Sequence, residues 1–148
     1  MKTLATLFFL MLSILTSPFV FAQTTDSTAR TYTVTVVVPN VTHRSGTIRV
    51  GVANSEATFN GESFKTSVVN VPASGEVQVT LTGLPAGRYA VRLMQDLNGN
   101  EKMDYNGQMP AEPFGFSNVT MLMGPPSFGQ CAFDLNENKQ IRVGLMEM

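Results

Sequence analysis

Apolar residues recur at every second position through most of this chain, and that period commits it to β-sheet. Tyr32-Thr33-Val34-Thr35-Val36-Val37-Val38 alternates, is rich in β-branched residues and predicts a strand that stops at Pro39. Positions 42–46 read as a polar turn containing His43, and 47–52 as a second strand with Ile48, Val50 and Val52 on one face. Positions 54–65 read as a loop or short helix, with Phe59 and Phe64 expected to anchor it in the core. A weak strand at 66–71 closes at Pro72, and 76–81 alternates with its odd positions inward. A tight connection at 83–87 leads to a strand at 88–94, which puts Tyr89, Val91 and Leu93 on one face and Arg88 and Arg92 on a basic solvent face. Two late strands at 130–135 and 140–145 are joined by the turn Asn136-Glu137-Asn138. About seven short strands separated by turn signals predict an all-β fold. The expected form is an immunoglobulin-like or transthyretin-like β-sandwich with one long ordered loop.

The first 22 residues have a different character. Lys2 is the only charge before Asp26, an apolar run covers positions 4–15 except for Thr6 and Ser13, and Val20-Phe21-Ala22 follows Pro18. A charged start, a short apolar centre and a small-x-small end are the parts of a cleavable secretory signal. The alternative is an uncleaved anchor, but the run is shorter than the roughly 20 residues a membrane span needs. The sequence therefore predicts a signal peptide at 1–22, a flexible lead at 23–31 and a single domain at 32–148. It predicts export to the periplasm or the extracellular space, with no stable membrane span after cleavage. Without Lys2, nine Lys and Arg face eleven Asp and Glu, and no basic stripe offers a surface to nucleic acid. Cys131 is the only cysteine, so no internal disulfide forms. Its apolar neighbours Ala132 and Phe133 predict a buried, inert thiol.

The stretch at 96–129 carries Pro110, Pro113, Pro125 and Pro126, which argue against a central strand. Phe114, Phe116, Met121, Leu122 and Phe128 give it too much apolar surface for disorder. Its start, Asp96-Leu97-Asn98-Gly99-Asn100-Glu101-Lys102-Met103-Asp104, places oxygen-bearing side chains at positions 1, 3, 5 and 9. Calcium takes six to eight oxygens from carboxylates, amides, backbone carbonyls and water. Asp96, Asn98, Asn100 and Asp104 are the candidate ligands, with Lys102 offering its backbone carbonyl. Gly99 permits the bend, and Glu101 or Glu112 completes the shell. An EF-hand wants Gly at position 6 and an acid at position 12, where this loop has Glu101 and Gly107. The other reading is an Asn/Gly turn whose side chains bond their own backbone. With neither His nor Cys, the loop is a poor site for a transition metal.

Four blocks taken together resemble a known family. They are Gly83-Leu84-Pro85-Ala86-Gly87-Arg88-Tyr89-Ala90-Val91, Asp96-Leu97-Asn98-Gly99-Asn100, Gly115-Phe116-Ser117-Asn118 and Gly124-Pro125-Pro126-Ser127-Phe128. Their order is similar to that of the bacterial domain-of-unknown-function family 2141, over roughly 32–145. The resemblance implies an exported β-sandwich-like domain without an established activity. The layout is also similar to Asp-x-Asn-x-Asn β modules of bacterial surface proteins, some of which bind calcium. Gln95 stands where the family often has His, and Glu101 where it often has Gly.

Catalytic patterns are sparse. His43 is the only histidine, and no nucleophile-elbow or phosphate-loop pattern occurs. Transthyretin-like hydrolases carry several His and a Tyr-Arg-Gly-Ser tail, and this chain ends Gly144-Leu145-Met146-Glu147-Met148. The expected function is that of an exported, non-catalytic β-sandwich module with a structural calcium ion, engaged in binding or envelope assembly. Its expected partner is an envelope protein or a glycan. The alternative is a carbohydrate or small-ligand module using Phe114, Phe116 and Phe128 as its surface, with a hydrolase as the third class.

Overall fold

The computed structural model describes residues 30–148, so the export signal at 1–22 and nearly all of the lead at 23–31 lie outside the described residues. In chain order the elements are β1 (Thr31–Val38), β2 (Thr47–Ala53), α1 (Glu56–Asn60), β3 (Lys65–Asn70), β4 (Val77–Pro85) and β5 (Gly87–Asp96). They continue with β6 (Tyr105–Asn106), β7 (Met109–Pro110), β8 (Phe114–Phe116), α2 (Phe128–Cys131), β9 (Ala132–Leu135) and β10 (Lys139–Arg142). The all-β expectation holds, and each of the seven expected strands is present. The long loop contributes the additional short strands β6, β7 and β8.

Two sheets share one core. In the smaller, β1 lies between β4, antiparallel, and β10, parallel. In the larger, the order is β3-β2-β5-β8, and β9 also pairs with β5. The period of two explains how they meet. Val34, Val36 and Val38 of β1 and Val79 and Leu81 of β4 cluster with Ile48, Val50 and Val52 of β2 and Val91 and Leu93 of β5. Each such side chain contributes roughly 1.5–3 kcal/mol by leaving water. Only Ala86 separates β4 from β5, which belong to different sheets. Tyr89 Oη donates to Pro85 O at 3.0 Å across this corner. The two late strands form no hairpin with each other, because β9 joins the larger sheet and β10 the smaller. Asn138 Oδ1, on the connection between them, accepts from Thr33 N at 2.9 Å.

The outer face of the larger sheet is also built upon. A second cluster of Ala53, Phe59, Ala90 and Cys131, with Phe116 and Phe128 against it, seats α1 and α2 there. Phe59 anchors as expected, at 4% exposure. Phe64 does not: it is 45% exposed and leans on Tyr89, because it lies past the end of α1 where the chain returns to the surface. Cys131 is fully buried, and burial, with Glu56 nearby, pushes its thiol up to about 11.

The free edge of β5 is shared by two short strands. β9 pairs with Gly87–Ala90 and β8 with Arg92–Met94, which leaves Val91 between them. Ser117 fills the gap. Its Oγ accepts from Val91 N at 2.8 Å and donates to Cys131 O at 2.6 Å, and its own N–H donates to Val91 O at 2.9 Å. Gly115 is needed two residues earlier, in β8, since a Cβ there would meet Gly144 O. Ser117→Ala leaves a buried N–H and a buried C=O without that hydroxyl, so urea denaturation should show a loss of about 2–4 kcal/mol. A variant within about 0.5 kcal/mol of the parent would contradict this role.

Candidate functional site

The acidic loop begins at the last residue of β5, Asp96, which pairs with Thr47 and is only 2% exposed. Its carboxylate turns back on the chain that follows. Oδ1 accepts from Gly99 N at 2.6 Å and Oδ2 from Glu101 N at 2.8 Å. Burial by itself pushes this carboxyl up. Hydrogen bonds from the backbone N–H groups of Glu101, Gly99, Asn100 and Asn98 outweigh it and hold the pKa below the ordinary 3.8. On the other side of the strand end, Gly46 lies so close that a Cβ would strike Asp96 O.

Glu112 braces the loop from its far end. Buried at 5% exposure, it accepts from Leu97 N through Oε1 at 2.8 Å and from Asp104 N through Oε2 at 3.4 Å. Asn98 Oδ1 accepts from Asn100 N at 3.0 Å, and Asn100 Oδ1 from Lys102 N at 2.9 Å. Both amide groups then donate to Asp104, Asn98 Nδ2 to Oδ2 and Asn100 Nδ2 to Oδ1, the latter at 2.9 Å. All the sequence-predicted loop residues thus meet in one hydrogen-bonded network. Lys102 is exposed and takes part through its backbone, whereas Glu101 turns outward to Arg49 Nη2 at 2.8 Å. No group of three or more His, Cys, Asp and Glu side chains that could hold a metal ion occurs among the described residues. Any cation here must therefore draw on amide and carbonyl oxygens as well.

Gly99 makes the bend expected of it, with φ of 79°, and Glu101 adds a second left-handed residue. Glu101 has φ of 63° and is sixth in the loop, where Gly99 is fourth. A non-glycine residue in that region is strained by roughly 1–2 kcal/mol.

The aromatic residues do not form one platform. Phe114 is 5% exposed, and Phe116 and Phe128 are half-buried. Phe116 and Phe128 pack against Phe59 at 5.9 and 6.4 Å between ring centroids. Phe114 and Phe116, but not Phe128, border a cleft of about 730 Å³ on the outer face of the larger sheet. The expected basic solvent face of β5 also differs. Arg88 is exposed, but Arg92 is half-buried, and its Nη1 donates to Phe59 O at 2.6 Å. Its Nη2 holds Gly61 O and Ser63 Oγ, the latter at 3.1 Å. Gly51, opposite Arg92, leaves room for this clamp, since a Cβ would meet Ser63 Oγ. Periodicity gave the face of Arg92 correctly but carried no sign that α1 would cover it.

Gln95 was missed as a structural residue because a polar side chain breaks the apolar pattern. Fully buried, it donates from Nε2 to His43 O at 2.7 Å and Ser45 O at 2.9 Å, while its Oε1 has no hydrogen-bond partner. His43 itself is exposed, 3.6 Å from Glu147.

The molecule is thus an all-β domain of two main sheets and a small β6–β7 ribbon, with an oxygen-lined loop at one strand end and an apolar cleft beside it. It belongs to the bacterial domain-of-unknown-function family 2141, described as an uncharacterized protein conserved in bacteria, whose family model matches residues 36–142. No curated protein and no solved structure matches the chain.

The strain at position 101 is separable from the ion pair with Arg49. Glu101→Ala loses the pair and keeps the strained bend, whereas Glu101→Gly loses both. Chemical denaturation should therefore find Glu101→Gly more stable than Glu101→Ala by about 1 kcal/mol. Equal stability would mean that position 101 is unstrained.

Proposed function

We propose that this chain is an exported, non-catalytic β module, working in the bacterial periplasm or outside the cell, whose acidic loop takes calcium as an ordering ion. Its task on this reading is binding: of an envelope protein, a glycan or a small ligand. The observation that carries the calcium reading is the setting of Asp104. Its carboxylate is held by two neutral amide groups, from Asn98 and Asn100, and by no Lys or Arg side chain among the described residues. Each of those amides keeps a carbonyl oxygen with a second lone pair beyond its bond to the backbone. Asp96 and Glu112 border the same loop. The Asp104 carboxylate with the carbonyl oxygens of Asn98 and Asn100 makes an all-oxygen set that suits a hard cation, and Lys102 O adds a backbone donor.

Calcium bound there would offset the negative charge gathered between Asp96 and Glu112. The protein already closes the loop through Asp96 and Glu112, so the ion would tighten an existing turn. The affinity expected is that of extracellular modules, on the order of 10⁻⁴–10⁻³ M.

The non-catalytic reading is supported by how the nucleophile candidates are used. Ser117 is buried and engaged with Val91 and Cys131, and the Cys131 thiol is fully buried. His43 stands on the surface beside Glu147. Export is supported by the charged start, apolar run and small-x-small end of residues 1–22.

Calorimetry and thermal denaturation test the ion. Calcium at about 100 times its Kd should stabilise the protein by about 2.7 kcal/mol, and Asp104→Ala should abolish the effect without unfolding the sheets. A flat calcium titration for the parent protein, with unchanged Tm, would end the proposal.

A further inference from the structure

The cleft on the outer face of the larger sheet has a composition that the calcium loop does not explain. Its floor is made by β2 and β5, through Arg49, Gly51, Arg92 and Met94, and one wall by Phe59 of α1 and Ser63 just after it. The opposite wall comes from the long loop, through Met103, Tyr105, Met109 and Pro110. Its volume, about 730 Å³, falls within the range of small-molecule sites, roughly 300–1,000 Å³. Met94, Met103, Met109 and Met148 all border it. Methionine is unbranched and polarizable, and a wall of such side chains adapts to a flexible apolar ligand.

The cleft's charged side chains are both basic. Arg49 and Arg92 are its only charged lining side chains, and no Asp or Glu side chain borders it. Arg49 reaches Glu101 outside the lining through one nitrogen. Arg92 is half-buried, is held only by carbonyl and hydroxyl oxygens, and pairs with no carboxylate among the described residues. A partly desolvated cation without a counter-ion favours an anion beside it. Asn60, Ser63, Thr66 and Gln108 also border the cleft, but its thioethers and aromatic rings offer the continuous apolar surface that a hydrocarbon tail needs.

We infer that this cleft binds a free, single-chain amphiphile with an anionic head, such as a medium-chain carboxylate, with its tail along the methionine wall and its head toward Arg49 and Arg92. This rests on the reading of the domain as a binding module, but not on its calcium. The floor is sheet and stands without the ion.

Displacement of the fluorescent anion 1-anilinonaphthalene-8-sulfonate from the purified protein tests this, in parallel runs with calcium and with a chelator. Below their micelle concentrations, dodecanoate should displace the probe at least about tenfold more effectively than dodecyltrimethylammonium, as one charge-assisted hydrogen bond implies. Arg49→Gln should weaken dodecanoate by about fivefold to tenfold and leave dodecanol unchanged. Met94→Glu should weaken dodecanoate still further, with circular dichroism confirming that both variants keep the parent fold. Equal displacement by the cation and the carboxylate would overturn the inference. So would no displacement by dodecanoate, or binding to phosphatidylglycerol vesicles without any to the monomer. Because the chelator arm is read separately, a protein that binds dodecanoate but no calcium would overturn only the loop proposal.

Discussion

One buried carboxylate fixes what happens beyond the last full strand. Asp96 ends β5 and immediately gathers the N–H groups of Gly99 and Glu101, so the chain must curl as it leaves the sheet. Gly46 accommodates the close approach of Asp96 O, and Glu112 closes the curl from the other side. Pro113 O then accepts from Gln95 N at 2.8 Å, which delivers β8 to the edge of β5 in register. A loop of this length without such ties would be a liability in a small domain. Here it becomes part of the sheet and one wall of the cleft.

β5 is the hub of the arrangement. Its inner face supplies Tyr89, Val91 and Leu93 to the core, and its outer face supplies Arg92 to α1 and Met94 to the cleft. One edge pairs with β2 along its length, while the other is assembled from β9, Ser117 and β8. The recurring residues of the family blocks have structural tasks in this frame. Tyr89 ties the β4–β5 corner, Ser117 joins two short strands, and Ser127 caps α2 by accepting from Gln130 N. Asn118 takes a left-handed turn, with φ of 59°, and donates to Ala132 O at 2.9 Å. In this chain each of them serves the scaffold.

The alternating strands were legible in the sequence because their apolar faces coincide with the core. Val34, Val36, Ile48, Val50, Val79 and Leu81 all point where a period of two places them. The loop's Asp and Asn pattern was legible for the same reason of spacing, and it did gather its residues together. β8 was not legible: three residues after a proline carry no period, and the strand is set by hydrogen bonds to an edge distant in sequence. The same holds for β9 and β10, whose separation into two sheets depends on which edges are vacant. Gln95 and Arg92 were hidden for another reason. Their burial comes from partners more than twenty residues away in the chain, at His43, Ser45, Phe59 and Gly61.

The claim on which the rest stands is that Asp96 holds the loop closed, with or without an ion. Gly99 and Glu101 are exposed residues, so their amides would exchange with solvent freely were it not for that carboxylate. Amide hydrogen exchange followed by NMR measures this directly in calcium-free protein. Protection of both amides by at least about a hundredfold over free-peptide rates, lost in Asp96→Ala while the β2 and β5 amides stay protected, is the predicted result. Exchange of Gly99 and Glu101 at free-peptide rates in the parent protein would contradict the account.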